Sequence, residues 1–348
     1  MACRVYGLDH RLATAVNHSS PTLRHMVQNT IVLSSDTDGI GQAVRFLRAG
    51  QLVAMPTETV YGLAGDARNP AAVAAIFAAK GRPTFNPLIA HVADQAMAES
   101  LAQFNDLARA LAHRFWPGPL TLVLPLRPGH GLAELALAGN PTVALRVPAH
   151  PVAQDLLRAF GGPLAGPSAN PSGRVSPTRV DHVLEGLGGK IAGIIDGGLC
   201  RVGVESTIIG FDEDLSGNHA VMLRQGGIAE EDIETITGPL RRGGHAEKPN
   251  APGQLISHYA PEATVRLEAR QPESGEIWVG FGPDCPGAPL SLSPSGDLAE
   301  AAATLFQTLR EADRLASAGQ RIAFAPVPDH GLGRAINDRL SRAAAPRP

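Results

Sequence analysis

The residues of this chain that could do chemistry gather in short polar segments set between apolar ones. The richest runs Lys80-Gly81-Arg82-Pro83-Thr84-Phe85-Asn86-Pro87-Leu88-Ile89-Ala90-His91. It places two cations, an amide and an imidazole on a loop and on the strand that follows. Loops held by rigid elements are where binding residues concentrate. Lysine is a compact point charge suited to phosphate, whereas arginine is a planar fork suited to carboxylate or phosphate. Only three of the 30 basic residues are lysine, so an ammonium at position 80 stands out. The same pair also reads as a helix-end lysine complementing the macrodipole, with a solvated arginine beside it.

Five further segments carry candidate groups. Pro56-Thr57-Glu58-Thr59-Val60-Tyr61-Gly62-Leu63 is a polar turn, either a plain connector or a lip of hydroxyls beside the Lys80 loop. Thr142 to Val147 alternates, which puts Thr142, Ala144 and Arg146 on one face. A charge is rarely buried without a partner, so Arg146 suggests a bound anion. The alternative is an edge strand whose arginine reaches water. Pro163 to Gly173 is a rigid turn from which Ser168 and Asn170 project. Gly203 to Gly210 is a strand that opens with Glu205 and Ser206, and Val221 to Gly227 brings Arg224 ahead of a glycine pair.

Several chemistries are excluded. There is no Gly-x-x-x-x-Gly-Lys-Ser/Thr, and Gly331-Leu332-Gly333 is not completed by a third glycine, because position 336 is Ile. His-Glu-x-x-His and the Gly-x-Ser-x-Gly elbow are missing too. A nucleotide would have to be held by dispersed side chains. The three cysteines lie far apart, which argues against a disulfide framework or a structural zinc and fits a reducing compartment. The net charge of −3 gives no basic footprint for generic nucleic-acid binding, though it leaves room for a local basic pocket. With 44% hydrophobic and 18% charged residues the composition is that of an ordinary globular protein. No apolar run approaches the roughly 20 residues of a membrane helix. Residues 1–28 lack the apolar core of a secretory signal.

The elements that must position these groups can be read from caps and periodicity. Asn69-Pro70 opens an Ala-rich helix that Gly81 closes. Asp36 caps a helix with Ile40, Ala43, Val44 and Leu47 on one stripe, and Asn105 caps another. Strands are predicted at Ile31–Leu33, Gln51–Met55, Leu88–Val92, Leu120–Leu126, Thr142–Val147, Ile191–Ile195 and Val221–Arg224. From Thr237 to Pro261 the hydrophobic period is lost, which reads as a linker. Beyond it come strands at Thr264–Ala269, Glu276–Gly280 and Arg321–Ala325, with helices near 297–318 and 333–343. The division is an N-terminal extension (1–28), a catalytic domain (29–236), a linker or lid (237–262) and a small α/β domain (263–348).

In order, these segments resemble the YrdC-like threonylcarbamoyl-AMP synthases in their long, two-domain form. The matching pieces are Pro56–Leu63, Lys80-x-Arg82, Asn86 to His91, Ser168-x-Asn170, Gly203–Thr207 and Leu223 to Gly227. His258-Tyr259-Ala260-Pro261 and the stretch from Gly331-Leu332-Gly333 to Asn337-Asp338-Arg339-Leu340 complete the set. The resemblance covers about residues 31–345. It implies a twisted mixed-sheet domain with a concave cavity and a smaller Rossmann-like C-terminal domain. It implies a cytoplasmic nucleotidyltransferase making threonylcarbamoyl-AMP and pyrophosphate from L-threonine, bicarbonate and ATP. The product would feed a downstream threonylcarbamoyl transferase complex that modifies adenosine 37 of tRNA (t6A), with tRNA contact possible. ATP, with Mg²⁺ on its phosphates and no protein metal site, would meet Lys80, Arg82, Asn86, Thr142, Ser168, Asn170, Ser176 and Arg224. Lys80 and Arg82 would be catalytic. Threonine would meet Thr59, His91, Arg146 and Ser206, and His258 and Tyr259 would form a lid. One departure is that Gln254-Leu255-Ile256-Ser257 lacks the basic residue that many relatives carry before the His-Tyr pair. An RNA-binding module on the same fold is the alternative function.

Overall fold

The computed structural model describes residues 29–214, 217–242, 259–316 and 319–346. The expected extension and most of the expected linker, His258 included, lie outside them. The chain runs β1 Ile31–Leu33, α1 Thr37–Arg48, β2 Val53–Met55, β3 Gly62–Asp66, α2 Pro70–Lys80, β4 Ile89–His91, α3 Gln95–Leu101, α4 Asp106–Phe115 and β5 Leu120–Pro125. It continues as α5 Glu134–Leu137, β6 Thr142–Arg146, α6 Pro151–Phe160, β7 Leu164–Ala165, α7 Val180–Leu187, β8 Gly193–Ile195, β9 Thr207–Asp214, β10 Gly217–Arg224, α8 Glu230–Thr237 and β11 Arg241–Arg242. Then come β12 Thr264–Arg266, β13 Glu276–Gly280, β14 Leu290–Ser291, α9 Leu298–Leu315, β15 Arg321–Phe324 and α10 Gly333–Ala344.

Among the described residues, β1 to β11 form one mixed sheet in the order β1-β8-β2-β3-β7-β4-β6-β5-β9-β10-β11. The last four strands form an all-parallel sheet, β12-β15-β13-β14. The fold is thus a large mixed-sheet α/β unit followed by a small Rossmann-like one. Local chemistry starts the helices. The Asn69 side chain accepts from the Ala71 and Ala72 amides, Pro70 follows it, and Gly81 closes α2 in the left-handed region at φ 59. Asp36, Asn105 and Asp297 cap α1, α4 and α9 in the same way, each cap contributing about 1 kcal/mol.

Strand pairing then brings distant segments to one edge of the large sheet. β4 runs parallel to β6 with His91 opposite Arg146. β5 runs antiparallel to β6 and parallel to β9, with Leu120 opposite Thr207. β10 returns antiparallel, with Arg224 opposite Ile208, and Gly62 bridges to Ser168. The ends of β4, β6 and β10, the start of β9 and the turn ahead of β3 therefore meet.

β3 was not legible in the sequence. Gly62-Leu63-Ala64-Gly65-Asp66 carries two glycines, which weaken strand propensity, and pairing with β2 and β7 overrides that weakness. Helices α3, α5 and α6 were likewise unread.

The main core packs Leu52, Ile76, Leu111, Leu120, Leu122 and Leu145 between the large sheet and its helices. A second apolar cluster crosses between the two units: Val60, Val175, Val204 and Tyr259 pack with Leu305, Phe306, Phe324 and Ile336. Gly203 sits at this seam with φ 75, and a Cβ there would lie 2.3 Å from the Ala302 carbonyl oxygen, so only glycine lets α9 approach.

Candidate active site

A cleft opens at the edge where these strand ends meet. It encloses about 540 Å³ of empty space, mouth included, and its walls carry Thr59, Arg82, His91, Arg146, Ser168, Glu205, Ser206, Arg224 and Tyr259.

Arg146 ends β6 and is 3% exposed. Its Nη2 donates to Glu58 Oε1 at 2.7 Å, its Nη1 to Thr59 Oγ1 at 2.8 Å and its Nε to the Gly118 carbonyl at 3.2 Å. Glu58 Oε2 accepts the Ala149 amide at 3.0 Å. The arginine's burial is thus met by an internal carboxylate, and does not by itself require a bound anion. Two of its five N–H groups remain unbonded among the described residues. The turn fixes Thr59 in turn. The Thr57 hydroxyl donates to the Val60 carbonyl at 2.6 Å, so the 2.8 Å bond between the two threonine hydroxyls has Thr59 as donor. Thr59 thus offers Arg146 a lone pair.

His91 is buried, and its Nδ1 has no hydrogen-bond partner. Burial, assisted by the Arg146 charge, pushes its pKa down to about 3, so the ring is neutral near pH 7. In the unfolded chain it titrates near 6.5. The folded value is the lower one, so this contribution to stability is complete above pH 6.5 and is lost as pH falls toward 3. Burial likewise lowers His182 to about 4 and lowers His150. Stability is therefore expected to fall below pH 6.5. His91→Gln should flatten that fall by one proton, or about 1.4 kcal/mol per pH unit. Urea melts of both proteins between pH 4.5 and 6.5 measure this, and equal slopes would mean that His91 protonates while folded.

The cleft's other two arginines come from the loop after α2 and from the end of β10. Arg82, just past α2, donates from Nε to the Asn86 carbonyl and from Nη2 to the Pro87 carbonyl. Burial, then Arg224, lowers its pKa to about 10, and burial, then Arg339, lowers Arg224 to about 10. Both remain cationic near pH 7. Arg224 ends β10 and donates to the carbonyl and the hydroxyl of Ser206, whose hydroxyl also bonds Thr121 at 2.7 Å. A Cβ on Gly226 would lie 2.3 Å from the Thr207 nitrogen, so glycine is required for the chain to pass there.

All four residues expected to hold threonine, Thr59, His91, Arg146 and Ser206, line this one cleft. Of the residues expected to hold ATP, Arg82, Ser168 and Arg224 line it, and Lys80, Asn86, Thr142, Asn170 and Ser176 are not among its walls. Thr142 opens β6 and pairs with Pro125, at the other end of the strand from Arg146. Lys80 donates to the carbonyls of Ser168 and Asn170. Burial and the Arg82 charge push its pKa well down. Its direct contact is thus with the loop that presents Ser168. Lys80→Met is expected to leave both carbonyls short of a partner and to cost about 1–3 kcal/mol in urea stability. An unchanged midpoint would free the lysine from that role. Asn86 and Asn170 each have a buried, unpartnered Oδ1.

Ser176 donates to Glu205 Oε1 at 2.6 Å, and Glu205 Oε2 accepts from Arg339 Nε at 2.9 Å. Burial alone would raise the Glu205 carboxyl, but Arg339, Arg224 and these hydrogen bonds outweigh it and hold the pKa at about 2. Tyr259, from the expected lid, is buried on the cleft wall and stacks on Phe306 at 5.3 Å. Sequence reasoning named neither Glu58 nor Arg339 as a partner. For Arg339 a signal existed: it lies on the Ile336-Leu340-Ala343 stripe of α10, where an arginine is out of place.

Known proteins resemble this chain along most of its length. A family model described as telomere recombination, covering Sua5, YciO and YrdC proteins, matches residues 45–226. One described as threonylcarbamoyl-AMP synthase, C-terminal domain, matches residues 228–345. The threonylcarbamoyl-AMP synthase of Bacillus subtilis is 41% identical, covering 94% of this chain and 99% of the relative. That of Pyrococcus abyssi is also 41% identical, covering 88% and 94%. The crystal structure of P. abyssi Sua5 complexed with L-threonine superposes with a TM-score of 0.81 at 39% identity, covering 90% of this chain and 98% of that one.

Proposed function

The chain belongs to the threonylcarbamoyl-AMP synthase family, and on that premise we propose that it joins L-threonine, bicarbonate and ATP into threonylcarbamoyl-AMP with release of pyrophosphate and water. The threonine amine takes up the carbon of bicarbonate, and water leaves. A carboxylate oxygen of the resulting carbamate attacks the α-phosphorus, and the bond from that phosphorus to the β-phosphate oxygen breaks. Such transfer needs positioning and charge neutralisation rather than a protein nucleophile. The observation that carries the reading is the convergence of three arginines, Arg82, Arg146 and Arg224, with neutral His91 in one cleft.

Arg146 would fork its two remaining N–H groups onto the threonine carboxylate. Thr59, His91 and Ser206 would surround the rest of that amino acid. Arg82 and Arg224 would face the triphosphate, with Ser168 beside them. Mg²⁺ would enter on the phosphates. The product would be handed, in the cytoplasm, to a threonylcarbamoyl transferase complex for adenosine 37 of tRNA. No helix among the described residues is long and apolar enough to cross a membrane.

The test is pyrophosphate release with each substrate omitted in turn. Release that needs L-threonine, bicarbonate and ATP together supports the reading. Release without threonine would mean another acceptor, and no release from folded protein with Mg²⁺ would turn attention to RNA binding.

A further inference from the structure

Glu205 is a misplaced charge for a cleft that receives a triphosphate. It lines the cavity, is 7% exposed and is held ionised. A carboxylate on that wall would repel phosphate unless its charge were cancelled from behind. Arg224 supplies part of that cancellation, and the larger part comes from the other unit of the protein. Arg339, on α10, is 1% exposed and reaches across the seam to Glu205 Oε2 at 2.9 Å. Its Nη1 donates to Asp338 Oδ2 at 2.6 Å, and its guanidinium lies 5.6 Å from the centre of the Tyr259 ring. Its Nη2 is buried without a partner. One side chain of the small domain thus touches both Glu205 and Tyr259 on the cleft wall.

We propose that Arg339 is a positioning residue for the synthase reaction: it neutralises Glu205 and fixes Tyr259, so that the phosphate half of the cleft is complete only when the small domain is docked. The inference rests on the synthase reading. It gives the Asn337-Asp338-Arg339-Leu340 segment a role that the resemblance left unassigned. Arg339 does not touch the reacting atoms. Its effect passes through the charge that ATP meets, because like charges at close range destabilise the anion that enters.

The test compares Arg339→Met, Arg339→Lys and the double variant Arg339→Met with Glu205→Gln, in steady-state kinetics on the full chain. Arg339→Met is expected to raise KM for ATP about tenfold or more, with KM for L-threonine changed far less. The double variant removes the uncompensated carboxylate and should return KM for ATP to within about threefold of wild type. Arg339→Lys, which keeps the charge, should fall between the two. An unchanged KM for ATP in folded Arg339→Met overturns the proposal. So does a double variant as impaired as the single one, since a purely structural role would not be rescued by removing the carboxylate. If Arg339→Met does not fold, the double variant decides alone, because it buries no unpaired charge: loss of ATP affinity in it overturns the proposal. Absence of product with the wild-type protein would instead overturn the synthase reading itself.

Discussion

Arg146→Ala is expected to abolish threonine-dependent turnover, lowering kcat/KM for L-threonine by about 100-fold or more, since a forked carboxylate contact and its orientation are lost together. The same change strands Glu58 in a buried site, where loss of one partner of an ion pair costs about 3–5 kcal/mol. The two side chains are 4% and 11% exposed and 2.7 Å apart, so solvent does little to soften that cost. Adding Glu58→Gln separates the two effects. The double variant should regain most of the urea stability and none of the threonine affinity. If it regained threonine affinity, Arg146 would be a structural arginine and the carboxylate site would lie elsewhere.

Arg82→Ala carries the opposite signature. Its hydrogen bonds go to two carbonyls of its own loop, Asn86 and Pro87, and it pairs with no carboxylate among the described residues. Removing it should leave the melt within about 1 kcal/mol of wild type. Pyrophosphate release should fall by about 100-fold or more, because charge neutralisation at the transferring phosphoryl group is the main catalytic demand. Stopped-flow or endpoint pyrophosphate assays beside a thermal melt measure both. Retained activity would remove Arg82 from the phosphate site.

The local parts of this fold were open to sequence reasoning because their causes are local. Asn69-Pro70 and Gly81 bound α2 through hydrogen bonds to neighbours a few residues away, and a cap is a short-range event. Periodicity likewise placed α1, α4, α9 and α10 within a few residues of their observed ends. The unread elements depend on distant chain. β3 exists because β2 and β7 flank it, and β7 is only two residues long.

The site divides the same way. The residues expected around threonine were named through resemblance, and the sheet register explains why two of them meet: His91 and Arg146 are cross-strand partners on β4 and β6. What no linear pattern could supply were the charge partners. Glu58 and Arg146 lie 88 positions apart, and Glu205 and Arg339 lie 134 apart. A lysine prominent in sequence also turned out to hold the Ser168–Asn170 backbone rather than to line the cavity. An arginine on a strand or helix face announces that a partner is needed. Only the assembled fold says whether that partner is a ligand or a side chain.

The most direct test of the central claim is the fate of bicarbonate carbon. Purified protein is incubated with ATP, Mg²⁺, L-threonine and ¹³C-bicarbonate, and the nucleotide products are resolved by mass. The account expects an AMP adduct carrying both threonine and one labelled carbon, present in wild type and missing in Arg146→Ala. An adenylate of threonine without the label would contradict it, since the cleft would then activate the amino acid's own carboxylate instead of a carbamate.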